Sequence, residues 1–176
     1  MKKDHSQMMK IVVQDHLFEI HPIAQDELDA ILEVYEECED FLALCQLPTA
    51  SMEMVLKDIE LSKEGNGVFC GIYTENGRMI GVVDYIPCDY CGAPDTAYLE
   101  LLMIASSYRK QGVGKAVVEA VENEIRKNAK VTTIVSGVAV NNPQAIQFWQ
   151  RNGYQIVSGP KYYPGQGTGF DLRKGL

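Results

Sequence analysis

The sequence predicts a mixed α/β fold, with helices on both faces of one central sheet. Three observations carry this. Asn76-Gly77 separates two strand-like runs, 68–75 and 78–86, and Asn-Gly in that setting is a strong hairpin signal. Residues 98–125 read in one pass as an apolar strand (YLELLMI), a polar turn (ASSYRKQGVGK) and a helix (AVVEAVENEI). Residues 131–140 are nearly all apolar or small, the composition of a strand buried on both faces.

In chain order, residues 1–10 read as a flexible leader and 11–176 as a single domain. The alternation in HLFEIHPI predicts a first strand over 16–23. Leu28, Ile31, Leu32, Tyr35 and Cys38 recur at helical spacing and predict an amphipathic helix over 26–39. More apolar residues follow from Phe41 to Leu47 and stop at Pro48. A second helix fits 51–61, with Ser51 as N-cap but without the Glu or Gln of a capping box. After the hairpin, 87–95 is a loop. In the helix opened by the glycine turn, Val113, Ala116, Val117, Ala120, Val121 and Ile125 form a core-facing stripe. Asn141-Asn142-Pro143 then starts a helix over 144–151 that Asn152-Gly153 ends. A short strand at 154–158, a loop over 159–169 and a last strand at 170–173 complete the chain.

Composition excludes several classes. No run approaches the ~18 apolar residues of a membrane span. The N-terminus lacks a signal-peptide core, so the chain is expected in the cytoplasm. Five cysteines, an odd number, argue against a disulfide framework, and Cys88–Cys91 lacks the second pair of a zinc knuckle, so no metal is expected. The net charge of −8 disfavours nucleic acid as a partner. The charge is uneven. From Asp26 to Glu64, 12 acidic residues against Lys57 and Lys63 give −10, while from Ala105 to Leu176, 10 Lys/Arg against 4 Asp/Glu give +6. A basic half suits an anionic cofactor, and an acidic half attracts a cationic partner.

The glycine turn narrows this further. Arg109, Lys110 and Lys115 surround Gly112 and Gly114 where a strand feeds a helix N-terminus, whose unpaired N–H groups and dipole favour an anion. A Walker A loop fails, because Arg109 and Ala116 stand where a glycine and a Ser/Thr are needed. A dinucleotide fingerprint fails at Val117, where its third glycine belongs. What remains is an R-x-x-G-x-G turn over 109–114.

That turn, together with Asn142-Pro143-Gln144-Ala145-Ile146-Gln147-Phe148-Trp149-Gln150-Arg151-Asn152-Gly153-Tyr154 downstream, resembles the GNAT superfamily of N-acetyltransferases. The resemblance covers about 98–154 and implies a mostly antiparallel sheet splayed between the strand at 97–104 and the strand at 131–140. It implies acetyl-CoA as co-substrate and a primary amine of a small molecule or protein as acceptor. Arg109, Lys110, Gln111, Gly112, Val113, Gly114 and Lys115 would hold the pyrophosphate, mainly through backbone N–H groups. Main-chain groups of Leu102, Met103 and Ile104 near a bulge would pair with the pantetheine arm and polarise the thioester. Asn142, Ala145 and Phe148 would line that arm. Glu100, the charged residue of an apolar strand placed two residues before the bulge, is the expected base, with Asp84 as runner-up.

Trp149 occupies the position where many family members carry a tyrosine acid, and an indole cannot serve as one. Core packing is its expected role, leaving Tyr108, Tyr154, Tyr162 or Tyr163 as acids, or an unassisted thiolate. The competing expectation is a non-catalytic acyl-CoA sensor or scaffold. A homodimer is compatible with the sequence.

Overall fold

The computed structural model describes residues 8–44, 49–164 and 167–176. Nine strands form one sheet in the order β1-β2-β3-β4-β5-β6-β9-β7, with β8 also paired to β9. They are β1 (Met9–Val13), β2 (His16–Pro22), β3 (Val68–Thr74), β4 (Met79–Ile86), β5 (Thr96–Ile104), β6 (Thr133–Ala139), β7 (Gln155–Ile156), β8 (Lys161–Tyr163) and β9 (Gly167–Gly175). The helices are α1 (Leu28–Glu36), α2 (Glu39–Leu44), α3 (Met52–Glu64), α4 (Val113–Arg126) and α5 (Pro143–Arg151). Among the described residues every strand pairing is antiparallel except β5 with β6, which the α4 crossover makes parallel.

Each face of the sheet has its own core. On one, Val113, Val117, Val118, Val121 and Ile125 of α4 pack with Trp149 of α5 on Ile72, Ile80, Val83 and Leu99. On the other, Ile31, Val34 and Tyr35 of α1 and Val55 and Ile59 of α3 pack on Phe69, Val82 and Met103. Helices on both faces are therefore as expected. The Ser51 hydroxyl accepts the Met54 N–H at 3.2 Å, so that cap forms without a capping box.

Several boundaries differ from expectation; β9 and α3 are longer than expected and β7 shorter. Met9 and Lys10, assigned to the leader, lie in β1, where Met9 and Ile11 are buried against the sheet; residues 1–7 lie outside the described residues. The helix expected over 26–39 is divided into α1 and α2 at the Glu37–Cys38 junction; of the apolar run 41–47, residues 45–47 lie outside the described residues, as does Pro48. β8 occupies part of the expected loop 159–169, because β9 starts at Gly167 and offers it a partner. β6 begins at Thr133, two residues after the expected start.

Inside the α4 face lies an ionic cluster that periodicity did not indicate. Glu122 is 2% exposed and accepts Lys174 Nζ at 2.7 and 2.8 Å and the Tyr154 hydroxyl at 3.2 Å. It ties the last strand and the end of α5 to α4. A buried carboxylate held this way is costly to leave unpaired.

Candidate active site

The sheet forks between β5 and β6. Their parallel pairing runs only from Thr96–Thr133 to Leu99–Ser136. At the fork the buried Ser136 hydroxyl donates to the Leu99 carbonyl at 2.8 Å, satisfying an acceptor where the ladder ends. Beyond it β5 continues on β4 alone, and β6 on β9 alone.

A bulge sits at the same point. Asp84 pairs with Leu101 and Tyr85 with Leu99, so Glu100 is the extra residue. The bulge was expected two residues later; it falls on Glu100 itself. One inserted residue exchanges the two faces of the strand. Ala97 and Leu99 face the α4 core, whereas Leu101 and Met103 face the α1–α3 core. Glu100, next after Leu99, already lies on the α1–α3 side near Asp58 and Asp84, and the extra residue brings Leu101 onto that side with it.

Three carboxyls meet there. Asp84 is 2% exposed and accepts the Ser62 hydroxyl of α3 at 2.7 Å. Burial, with a smaller push from the Glu100 charge, lifts its pKa to about 7, against the lowering effect of the Ser62 hydrogen bond. Asp58 of α3 accepts the Tyr35 hydroxyl at 2.8 Å, and burial raises its pKa. Glu100 keeps contact with solvent, yet the protein packed around its carboxyl raises its pKa first by desolvation and then through Asp58. Tyr98, two residues before Glu100, stacks on Tyr90 of the preceding loop with ring centroids 4.3 Å apart. Asp58, Ser62 and Tyr90 are site residues that the sequence reading missed. Only their distance from the glycine turn concealed them, since each is polar on an otherwise ordinary element.

At the other end of β5 the glycine turn is arranged as a helix-start nest. Gly112 is the N-cap of α4 at φ +95°, a left-handed conformation that favours glycine. The first helical bond runs from Ala116 N–H to the Gly112 carbonyl at 3.1 Å, so the N–H groups of Val113, Gly114 and Lys115 precede the helical ladder. Gly114 lies against α5, where an added Cβ would be 3.5 Å from the Phe148 ring. Lys110 and Gln111 are exposed, and Lys115 forms a surface pair with Glu119 at 3.6 Å.

Two expected ligands are oriented differently. The Arg109 guanidinium turns away from the nest. Its Nε donates to the Ile104 carbonyl at 2.7 Å, and its two terminal nitrogens grip Asp40 at 2.6 and 3.1 Å. Met103 directs its main chain at β4, not at the fork: an added Cβ on Gly81 would lie 2.6 Å from the Met103 carbonyl. Ala105 N–H bonds to the Ile80 carbonyl at 2.8 Å, and antiparallel alternation from that pair points Met103 inward to β4 and Leu102 and Ile104 toward the fork.

Across the fork Asn142 caps α5, its Oδ1 accepting the Ala145 N–H at 3.0 Å, which leaves Nδ2 as a donor. Ala145 and Phe148 are half-buried beside it. Trp149 is 7% exposed and packs edge-on against Phe148 and Tyr154 at 5.3 and 4.9 Å, so it is a core residue. Tyr154 is committed to Glu122, and burial raises its pKa. The Tyr163 hydroxyl donates to Asp171, which raises its pKa. Neither is suited to giving up a proton. Cys91 is exposed, and the Cys88 thiol donates to Asp89 at 3.3 Å.

The acetyltransferase (GNAT) family model matches residues 28–154, and the chain belongs to that family. It is similar to the probable N-acetyltransferase san of Drosophila melanogaster, 32% identical over 66 residues, covering 38% of this chain and 36% of that protein. It is also similar to N-alpha-acetyltransferase 60 of Xenopus tropicalis, 23% identical over 164 residues, covering 83% of this chain and 63% of that protein. The matches thus span less than two thirds of either relative.

Among solved structures, an acetyltransferase from Thermus thermophilus superposes with a TM-score of 0.74 at 18% identity, covering 96% of this chain and 100% of the other. Spermidine N-acetyltransferase from Vibrio cholerae, solved with CoA and spermine, superposes at 0.69 with 13% identity, covering 90% and 95%. These similarities concern the fold.

Proposed function

We propose that the chain is an acetyl-CoA-dependent N-acetyltransferase that transfers the acetyl group to a primary amine. The observation that carries this reading is the coincidence, at one fork, of a bulged carboxylate, open strand edges and a left-handed glycine heading a helix. Backbone N–H groups of Gln111, Gly112, Val113 and Gly114 take the pyrophosphate, with Lys110 and Lys115 adding positive charge. The fork-facing main chain of Leu102 and the Ile104 N–H pair with the pantetheine arm, which Asn142, Ala145 and Phe148 line on the other bank. No metal is required. A backbone donor aimed at the thioester oxygen is worth about 10²–10³ in rate.

The amine nitrogen attacks the thioester carbon, the C–N bond forms, and collapse of the tetrahedral adduct breaks the C–S bond. Glu100 receives the proton lost by nitrogen. Asp84, 2% exposed beside it and raised to about 7, is a second acceptor and a reservoir near neutral pH. CoA leaves as the thiolate, or takes a proton from water, whose access the exposed Glu100 edge permits.

The three carboxyls on the α1–α3 side favour a cationic acceptor, a polyamine or the free N-terminal amine of a peptide. The cytoplasm, where acetyl-CoA and thiols coexist, suits the thiols of Cys38, Cys70 and Cys91. Acetyl-CoA with a panel of spermine, an aminoglycoside, N-terminal peptides and anionic amino acids, read by thiol release, tests the proposal. Turnover on a cationic amine is expected. Best activity on anionic amino acids would refute the acceptor class.

One observation favours a second reading, a non-catalytic acyl-CoA-binding module: Tyr154 and Tyr163 are both held by carboxylates and Trp149 replaces the usual acid. Saturable CoA binding without turnover on any amine of the panel would support it.

A further inference from the structure

The role of Arg109 left open by its orientation has a geometric answer. Its side chain makes four contacts, all away from the nest. Nε donates to the Ile104 carbonyl at 2.7 Å, Nη1 and Nη2 to the two Asp40 oxygens at 2.6 and 3.1 Å, and Nη2 also to the Glu37 carbonyl at 3.4 Å. The Cys38 thiol donates to the same Ile104 carbonyl at 3.4 Å. The α1–α2 junction, Glu37 to Asp40, is therefore docked on the end of β5. The far end of α2 is docked on the opposite bank: Asn141 Nδ2, in the turn after β6, donates to the Leu44 carbonyl at 3.2 Å. Helix α2 thus spans the open end of the fork, fastened to the β5 bank by Arg109 and to the β6 bank by Asn141.

We propose that Arg109 is a positioning residue that clamps α2 across the fork, so that the turn holding the donor and the wall facing the acceptor form one unit. The inference rests on the acetyltransferase reading for what passes beneath α2, but the clamp itself rests on the contacts above. The planar, two-pronged guanidinium suits this task, because it satisfies a carboxylate and a carbonyl at once. Asp40 responds as a partner should, its pKa lowered chiefly by the Arg109 hydrogen bond. A guanidinium engaged in this way adds little to phosphate binding by its side chain, and the nest binds through its backbone instead.

Arg109→Ala, Arg109→Lys and Asp40→Ala are compared with the unaltered chain by three readouts. These are CoA affinity by calorimetry, amide exchange at Phe41 and Leu42, and steady-state kinetics with spermine or an N-terminal peptide as acceptor. Arg109→Ala and Asp40→Ala should leave CoA Kd within about threefold. Both should speed exchange at Phe41 and Leu42, whose N–H groups bond to the Cys38 carbonyl, by more than about tenfold. Both should raise the acceptor KM with less effect on kcat, the double variant should be no worse than either single one, and Arg109→Lys should recover part of the loss. A CoA Kd raised tenfold or more by Arg109→Ala, with exchange at α2 unchanged, overturns the proposal and returns Arg109 to the phosphate. Failure of the unaltered chain to bind CoA would contradict the acetyltransferase reading instead, while exchange at α2 would still decide the clamp.

Discussion

The two sides of the fork are built by different means. The proposed donor side is main chain: a left-handed Gly112, a helix start whose first N–H groups precede the ladder, and strand edges opened where β6 departs. The proposed acceptor side is side chain, with Asp58, Asp84 and Glu100 contributed by α3, β4 and β5, the last as the extra residue of a bulge. A main-chain site is set by local geometry and tolerates varied sequence around its glycines. A side-chain site is set by which distant residues meet, and can be respecified by a few substitutions.

Perturbing each side should give separable results. The largest effect is expected from Glu100→Gln, which keeps size but removes the proposed base. Steady-state kinetics should show kcat/KM down by about 10²–10⁴, with CoA Kd unaltered. Equal activity in the variant would transfer the role to Asp84.

Next comes Gly112→Asp, which puts bulk and charge in the nest. Because Gly112 sits at φ +95°, Gly112→Ala must be measured beside it to subtract the backbone strain. Calorimetry should show CoA affinity at least about tenfold weaker for Asp than for Ala. The same affinity in both would contradict phosphate binding there.

Asp84→Asn tests the acceptor side through stability. Burial raises the Asp84 pKa from 3.8 to about 7, so between those values the folded chain holds a proton that the unfolded chain has released. Its contribution to stability is therefore full below pH ~4 and lost as pH rises through ~7, an effect of the order of a few kcal/mol. Thermal melts of the Asn variant should show a shallower fall in Tm over that range and a higher Tm than the parent at pH 8. Parallel curves for the two would mean that Asp84 is not perturbed.

The smallest effect belongs to Trp149→Phe. Trp149 is 7% exposed and packed between Phe148 and Tyr154, so the variant should keep at least about a tenth of the activity with a modest loss of stability. A thousandfold loss with an intact fold would make the indole part of the chemistry.

What could be read in advance follows the same division. The Asn76-Gly77 hairpin, the α4 stripe and the two helix starts are local patterns, and all lie where periodicity and turn chemistry put them. β1 was missed because a five-residue edge strand beside a polar leader carries little periodicity, and its assignment depends on β2 accepting it. The position of the bulge could not be read, since Glu100 is extra only relative to Asp84 and Tyr85 on another strand. The Arg109–Asp40 pair joins residues 69 apart, and nothing in an R-x-x-G-x-G turn tells a guanidinium which way to face. The sequence thus singled out the glycine turn and two of the three carboxyls, Glu100 and Asp84, but neither Asp58 nor the register that gathers them.

The central claim is that one fork joins both sides, and a crystal structure of the chain with CoA tests it most directly. The account predicts the pyrophosphate on the N–H groups of Gln111 to Gly114, the pantetheine arm between β5 and β6, and the thiol ending beside Glu100 beneath α2. CoA bound with its pyrophosphate away from Gly112, or a thiol directed away from Glu100, would contradict it.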